Sequence, residues 1–97
     1  MAKLAISGAI DIAPGSLDAF LPLLMAHRAR CLATEPGTQT FEVIVPNDDR
    51  TKVLLFEVYD DRAAFDVHWN GPSLAQLRAE AGDTLQRIYG TFGTLAE

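Results

Sequence analysis

Polar and apolar residues alternate over residues 4–12, which is the pattern of a β-strand with one buried face. A Pro-Gly-Ser turn over residues 14–16 ends this strand, and Ser16 is placed to cap the next element. From residue 17 to about residue 33 the apolar residues recur at helical spacing and form one buried stripe. Pro22 lies inside this helix, so we expect a late start or a kink near its first turns.

Two more strands are predicted over residues 38–45 and 51–59, joined as a hairpin by the turn-forming residues 46–50. The second of these strands is apolar on both of its faces. An antiparallel strand with one solvated face would alternate instead. Two covered faces in so short a chain predict helices on one side of the sheet and another subunit on the other.

The remaining residues predict two short helices and a last strand. We expect Asp60 or Asp61 to cap a helix over residues 62–70, and Ser73 to cap another over residues 74–81. A final strand follows from residue 85 to about residue 92. The resulting β-α-β-β-α-β order predicts one ferredoxin-like α+β domain over residues 1–97, with a four-stranded antiparallel sheet.

Composition and charge exclude several classes of partner. Of the 97 residues, 48% are hydrophobic and 22% charged, which is typical of a globular protein. Eight basic against thirteen acidic residues give a net charge of −5, which argues against nucleic-acid binding. No apolar run approaches the ~20 residues of a membrane span, and no signal-peptide pattern is seen. Cys31 is the single cysteine, so no intrachain disulfide can form. We expect a cytoplasmic protein, with Cys31 a small apolar residue of the first helix.

Several motifs of enzymes with bound cofactors are missing from the sequence. The glycines form neither a dinucleotide-binding G-x-G-x-x-G nor a P-loop, and there is no G-x-S-x-G elbow. Metal-ligand spacings of the C-x-x-C and H-E-x-x-H kinds are also missing. We therefore expect no cofactor and no metal.

One group of residues could build a small-molecule site. Alternate residues of the third strand point the same way, and residues at i, i+3 and i+4 of the next helix share a face. In this fold the helix packs on the sheet, so the two sets are expected to line one apolar pocket with a few polar groups. The candidates are Leu55, Glu57, Tyr59, Phe65, His68 and Trp69, with Leu77 and Arg78 from the following helix.

Each candidate also has a structural interpretation. His68 could be a hydrogen-bonded core histidine, and Phe65 and Trp69 could be core residues. Glu57 on a buried strand needs a partner, which could be His68, Arg78 or Arg87 unless the carboxylate reaches solvent at a sheet edge. Tyr59, at the end of its strand, could simply present its hydroxyl to water. For His27, on the border of the stripe of the first helix, we favour a structural role. A non-haem metal site from His27, His68 and Glu57 has no supporting local spacing.

Four short segments occur in the order E-P-G at 35–37, F-E-V at 41–43, F-E-V-Y-D-D at 56–61 and A-F at 64–65 followed by His68. Together these segments resemble the antibiotic biosynthesis monooxygenase family. Within the family the likeness is closest to the small quinol monooxygenase and autoinducer-2-degrading branch. The resemblance implies a dimeric α+β barrel, in which two four-stranded sheets face each other. It also implies the cofactor-independent oxygenation that some members perform.

The resemblance can be followed residue by residue. Polyketide-type members carry an Asn, a Trp, a Tyr and an Arg in the pocket, and these positions fall on Leu55, Tyr59, Phe65 and Arg78. Leu55 and Phe65 therefore lack a polar group of those relatives. Haem-degrading relatives use a histidine late in the second helical segment, and no histidine follows His68. Haem degradation is not expected.

These observations lead to one main hypothesis and two alternatives. The main hypothesis is a cofactor-free monooxygenase that acts with O₂ on a small phenolic, quinol or enolisable compound. His68 would accept a proton, Glu57 would hold its tautomer and Arg78 would stabilise the developing anion. Aromatic residues would exclude water and stack on the ring; these are Tyr59, Phe65 and Trp69. The alternatives are an isomerase of a small hydroxyketone of the autoinducer-2 type, and a non-catalytic stress-response dimer that binds a small ligand.

Overall fold

The computed structural model describes residues 2–97 and has an α+β architecture. The elements are β1 (Leu4–Ile12), α1 (Leu17–Thr34), β2 (Thr38–Ile44), β3 (Lys52–Tyr59), α2 (Arg62–Trp69), α3 (Pro72–Ala81), a 3₁₀ turn (Gly82–Thr84) and β4 (Leu85–Thr94). The strands form one antiparallel sheet in the order β2-β3-β1-β4. The predicted ferredoxin-like fold is confirmed. Among the helices of residues 2–97, none combines the length and apolar character needed to cross a bilayer.

The helices pack on one face of the sheet and leave the other face open. Strand pairing puts Ile10 of β1 beside Val53 of β3 and Ile88 of β4, all on the helix side. The main core joins these strands to α1 and α3; its largest members include Phe20, Leu24, Phe41, Leu74 and Leu77. On the opposite face Phe56 is 39% exposed and Ile44 is 50% exposed.

The ends of the helices differ from the prediction in three places. Helix α1 starts at Leu17 and continues through Pro22, so the predicted late start is wrong. Pro22 has no N–H to donate to the carbonyl of Asp18. Asp18 is exposed, so water can bond to that carbonyl instead. Ser16 occupies the N-cap position, but its hydroxyl donates to the Ala13 carbonyl and caps nothing.

The third difference concerns Ser73, which lies inside the first turn of α3 while Gly71 is its N-cap. The Ser73 hydroxyl is turned into the protein and bonds to side chains of α1. At α2, by contrast, Asp61 is the cap, because its carboxylate accepts the Ala64 N–H at 2.8 Å. A capping residue type therefore predicts a helix start only where no tertiary partner competes for its side chain.

Candidate active site

A cavity of about 330 Å³ lies between the helices and the sheet. Its wall is mostly apolar, with contributions from Ile10, Leu24, Phe41, Leu55, Leu74 and Leu77. Small-molecule sites typically occupy about 300–1,000 Å³, so this cavity suits a ligand at the small end of that range.

Two facing glycines make room for this cavity on the sheet. Gly8 of β1 pairs directly with Gly90 of β4, and both line the cavity. A Cβ at Gly90 would lie 3.0 Å from the Gly8 Cα and 3.0 Å from the Ser7 carbonyl oxygen. Neither glycine has positive φ, so close approach of the strands, rather than backbone conformation, explains the choice of glycine.

His68 of α2 forms the polar part of the cavity wall, and its two ring nitrogens have different partners. Nδ1 lies 2.9 Å from Oε1 of Glu35, and Nε2 lies 3.8 Å from Oε1 of Glu57. A carboxylate accepts hydrogen bonds, so the Glu35 contact places the proton of the neutral ring on Nδ1. The lone pair of Nε2 is then on the side of Glu57, a residue that also lines the cavity.

Glu35 reaches this position because of the way in which α1 ends. It is the C-cap residue of α1, and its backbone N–H donates to the Cys31 carbonyl. Pro36 follows and prevents the helix from continuing. The Glu35 side chain is 8% exposed, and the Thr38 hydroxyl donates to its Oε1 at 3.0 Å. The carboxylate is therefore held inside the protein as the orienting partner of His68, the role that we had predicted for Glu57.

Glu57 and Tyr59 form a second buried pair beside His68. The Tyr59 hydroxyl donates to Glu57 Oε1 at 2.5 Å. Burial raises the pKa of Glu57, although Tyr59 and His68 oppose that rise. Burial also raises the pKa of Tyr59, and the neighbouring Glu57 raises it further, so the phenol stays neutral. Tyr59 is fully buried and does not line the cavity, so our predictions that it presents its hydroxyl to water or contacts the substrate are corrected.

His27 and Cys31 of α1 extend the polar cluster behind His68. His27 Nδ1 lies 2.9 Å from the Ser73 hydroxyl, which also accepts from Arg30 Nε at 3.0 Å. Burial lowers the pKa of His27 from 6.5 to about 4, and the nearby His68 adds to this effect. Burial raises the pKa of the Cys31 thiol to about 12. Both side chains are therefore neutral near pH 7. Cys31 belongs to the main core, as expected of a small apolar residue of the first helix, and its sulfur also contacts His27 and His68.

Aromatic and charged side chains surround the solvent side of the cavity. Phe65 and Trp69 stack with ring centroids 5.8 Å apart, and Phe92 meets Phe65 edge-on at 5.0 Å. The Arg62 guanidinium lies over the rings of both phenylalanines, at 5.5 and 5.3 Å, and pairs with Asp66 at 3.1 Å. Arg62 is therefore a positive group at the cavity that the sequence pattern did not reveal.

The structure brings together six of the eight predicted site residues. The residues that line the cavity are Leu55, Glu57, Phe65, His68, Trp69 and Leu77. Arg78 does not; it is exposed, with its guanidinium 5.3 Å from the centre of the Trp69 ring. The expectation that Arg78 walls the cavity is thus corrected. Glu35 was missed as a site residue, although it belongs to the E-P-G segment, because its position after a helix indicated only where the helix ends.

Sequence comparison identifies the family. The profile of the antibiotic biosynthesis monooxygenases matches residues 4–80. The chain belongs to that family. The resemblance seen in the sequence is confirmed at this level, while the assignment to the quinol and autoinducer-2 branch stays a prediction.

Several solved structures have the same fold as this chain. A candidate antibiotic biosynthesis monooxygenase from Caulobacter crescentus has a TM-score of 0.89 at 15% identity, covering 99% of this chain and 92% of that chain. One from Nitrosomonas europaea has a TM-score of 0.85 at 18% identity, covering 95% and 88%. Rv0793 from Mycobacterium tuberculosis has a TM-score of 0.75 at 26% identity, covering 98% and 94%. No protein of curated function matches the sequence significantly.

Proposed function

We propose that this family member is a cofactor-independent monooxygenase that oxygenates a small phenolic, quinol or other enolisable compound, with His68 as the base. One observation carries the proposal: His68 lines a mostly apolar cavity, its Nδ1 is bonded to Glu35, and its Nε2 lies 3.8 Å from Glu57, which lines the same cavity. A buried carboxylate that holds one nitrogen leaves the other as a proton acceptor of defined direction.

The chemistry needs no reductant other than the substrate. In a substrate with an activated CH₂ group, such as an anthrone-like compound, His68 Nε2 removes a proton from that group, and the carbanion gives an electron to O₂. The two radicals combine through a new C–O bond, and the peroxide takes up the proton held by His68. Loss of the second C–H proton then breaks the O–O bond and releases water. The balance is one CH₂ group plus O₂ giving one C=O group plus H₂O.

The surroundings of His68 favour this reaction. Apolar walls exclude water from the carbanion, which would otherwise be quenched by a proton. Glu57 lies beside Nε2 and burial raises its pKa, which favours the protonated carboxyl group, the form that can donate a hydrogen bond to a substrate oxygen. Arg62 adds a positive charge at the solvent side of the cavity, the role that we had predicted for Arg78.

Oxygen uptake with a panel of quinols and anthrone-like compounds tests the proposal. Wild type should consume O₂, and His68→Gln should lose about 10²- to 10⁴-fold in rate, because a general base typically contributes that much. Val67→Ala is the matched control, since Val67 is the neighbouring residue of α2 and is 62% exposed. Turnover in His68→Gln equal to that of Val67→Ala would remove His68 from the mechanism.

The same assay separates the alternative functions. An isomerase of a hydroxyketone would convert its substrate without O₂, whereas the proposed oxygenation stops under anaerobic conditions. A ligand-binding protein would hold a compound that it never converts, which native mass spectrometry detects. Arg62 is the one arginine among the described residues that line the cavity, and a single guanidinium gives little support to a phosphorylated ketone.

A further inference from the structure

Every histidine and the single cysteine of the chain meet at one buried point. The sequence has two histidines and one cysteine. One donor atom each from His27, Cys31 and His68 lies within 4.8 Å of the other two. All three residues are at most 4% exposed. Histidine nitrogen and cysteine sulfur are the donor atoms that Zn²⁺ prefers in proteins.

We propose that His27, Cys31 and His68 bind a Zn²⁺ ion, and that this ion switches off the base of the proposed reaction. The inhibitory part rests on the function proposed above, and the metal site does not. Zinc sites with three protein ligands keep a fourth position for water or substrate. Here that position would face the cavity, because His27 and His68 both line it.

Both sulfur–nitrogen distances within the cluster suit a tetrahedral ion. The Cys31 sulfur lies 3.6 Å from His27 Nε2 and 3.5 Å from His68 Nδ1. Zn–S and Zn–N bonds of about 2.3 and 2.0 Å at a tetrahedral angle separate sulfur from nitrogen by about 3.5 Å. His27 and Cys31 are four residues apart on α1, which puts both donors on one face of that helix.

The groups around the cluster are those that support a bound metal. The Ser73 hydroxyl bonds to His27 Nδ1, which leaves Nε2 of that ring for the ion. Zinc at His68 Nδ1 would replace the proton that this nitrogen donates to Glu35, which lies 2.9 Å away, and the ring proton would move to Nε2, 3.8 Å from Glu57. The Glu35 carboxylate would then supply a negative charge beside the ion. On binding, Cys31 gives its proton to solvent and coordinates as a thiolate. One thiolate and the Glu35 carboxylate then balance the charge of Zn²⁺ in the protein interior.

Bound zinc would block the base for a simple reason. A neutral imidazole has one lone pair, and a metal ion uses it whichever ring nitrogen binds. His68 therefore cannot accept a substrate proton while Zn²⁺ is bound. We expect added Zn²⁺ to inhibit oxygen uptake at one ion per chain, and a chelator to restore it.

Metal binding can be measured without any activity assay. The chelator-treated protein should bind one Zn²⁺ per chain, measured by elemental analysis after gel filtration. Co²⁺ in its place should give a thiolate-to-metal absorption band, which can arise only from Cys31 because the chain has no other cysteine. Cys31→Ser should remove this band and weaken Zn²⁺ binding by about 100-fold or more, beyond the 10- to 100-fold typical of an outer-shell change. Glu80→Gln, an exposed carboxylate of α3, is the control for binding of Zn²⁺ to the surface.

The outcomes separate the metal site from the reaction. If wild type binds no Zn²⁺ and gives no Co²⁺ band, the metal site is wrong, whatever the oxygen assay shows. If the band appears, the site stands, even if no quinol is oxidised. If both the site and the activity are present, Zn²⁺ should inhibit wild type at least tenfold more strongly than Cys31→Ser, each relative to its own metal-free rate. Equal inhibition of wild type and Cys31→Ser would show that Zn²⁺ does not inhibit through this cluster. The wild-type spectrum decides the metal site by itself if Cys31→Ser fails to fold.

Discussion

At the scale of single residues, the site depends on which partner each nitrogen of His68 has. Glu35 is within hydrogen-bond distance of Nδ1, while Glu57 is 3.8 Å from Nε2 and makes no direct bond to it. Glu35 therefore selects the tautomer. Glu57, which is held by Tyr59, remains available to a ligand in the cavity.

Replacing Glu35 tests this assignment. In Glu35→Gln the amide can donate to Nδ1 and favour the tautomer in which Nε2 carries the proton. We expect kcat for oxygen uptake to fall about 10- to 100-fold with little change in KM, because substrate contacts remain. The pH profile of kcat should shift as well, which a purely structural defect would not cause. A kcat as high as that of the exposed control Glu80→Gln would show that Glu35 does not orient the base.

His27 predicts a dependence of stability on pH. Its pKa is about 4 in the folded protein, against 6.5 as its ordinary value. Between these values the unfolded chain binds the extra proton, so the free energy of unfolding falls as the pH drops from 6.5 towards 4. We expect His27 to lower the free energy of unfolding by about 2 kcal/mol between pH 7 and pH 5.

Urea unfolding of wild type and His27→Gln at pH 7 and pH 5 measures this contribution. Glu57, whose raised pKa acts in the opposite direction, is present in both proteins, so the difference between them isolates His27. The variant should lose less stability than wild type between the two pH values. The same loss in both proteins would show that His27 is not held neutral by burial.

At the scale of elements, the start of β2 and helix α2 approach each other closely at Gly37. The Gly37 carbonyl accepts the Asp60 N–H at 2.9 Å, which ties the two ends of the hairpin together beside α2. A Cβ built on Gly37 would lie 2.4 Å from the Cβ of Ala64 in α2. This contact sets how near α2, and with it His68, can come to the sheet.

Gly37→Ala should therefore destabilise the protein by about 1–3 kcal/mol, the usual cost of forcing an extra carbon into packed structure. Ala64→Gly removes the carbon that clashes, so the double variant should lose less than the sum of the two single losses. Gly93→Ala is the control, because no atom lies within 4 Å of its added Cβ. Thermal or urea unfolding measures all four proteins. Additive losses would mean that the clash does not determine the spacing.

At the scale of the whole molecule, the open face of the sheet bears on assembly. Phe56 of β3 and Ile44 of β2 lie on this face and are 39% and 50% exposed. Leu54 on the same face is half-buried. We propose that a second copy of the chain covers this face and forms a homodimer, as the two-sided apolar pattern of β3 and the family resemblance both indicate.

Phe56→Lys should shift the protein from dimer to monomer, because it places a charge on the apolar surface that the partner would cover. Sedimentation velocity at micromolar concentration measures the oligomeric state. Val67→Lys is the matched control, since it adds the same charge at an exposed apolar residue of α2 on the other side of the molecule. A monomeric wild type, or a dimer that Phe56→Lys leaves intact, would contradict the proposal.

The sequence by itself determined the order and type of the elements. Alternation over β1 and the helical stripe of α1 arise from local geometry, so the pattern of apolar residues is enough to reveal them. Spacing along an element also shows which of its sides a residue occupies. Glu57 could therefore be assigned to the side of β3 that faces α2, and His68 to the side of α2 that faces the sheet. Most of the predicted cavity residues were found for this reason.

Only the tertiary structure decided the partners of those residues. Glu35, Ser73 and Cys31 come from three different places in the sequence, and their local surroundings indicated a helix end, a cap and a small apolar residue. Each also bonds to or contacts a histidine that lies on another element or one turn away, because burial leaves a polar group no solvent with which to bond. Such pairings depend on how the helices are positioned over the sheet, and spacing along the chain carries no record of that position.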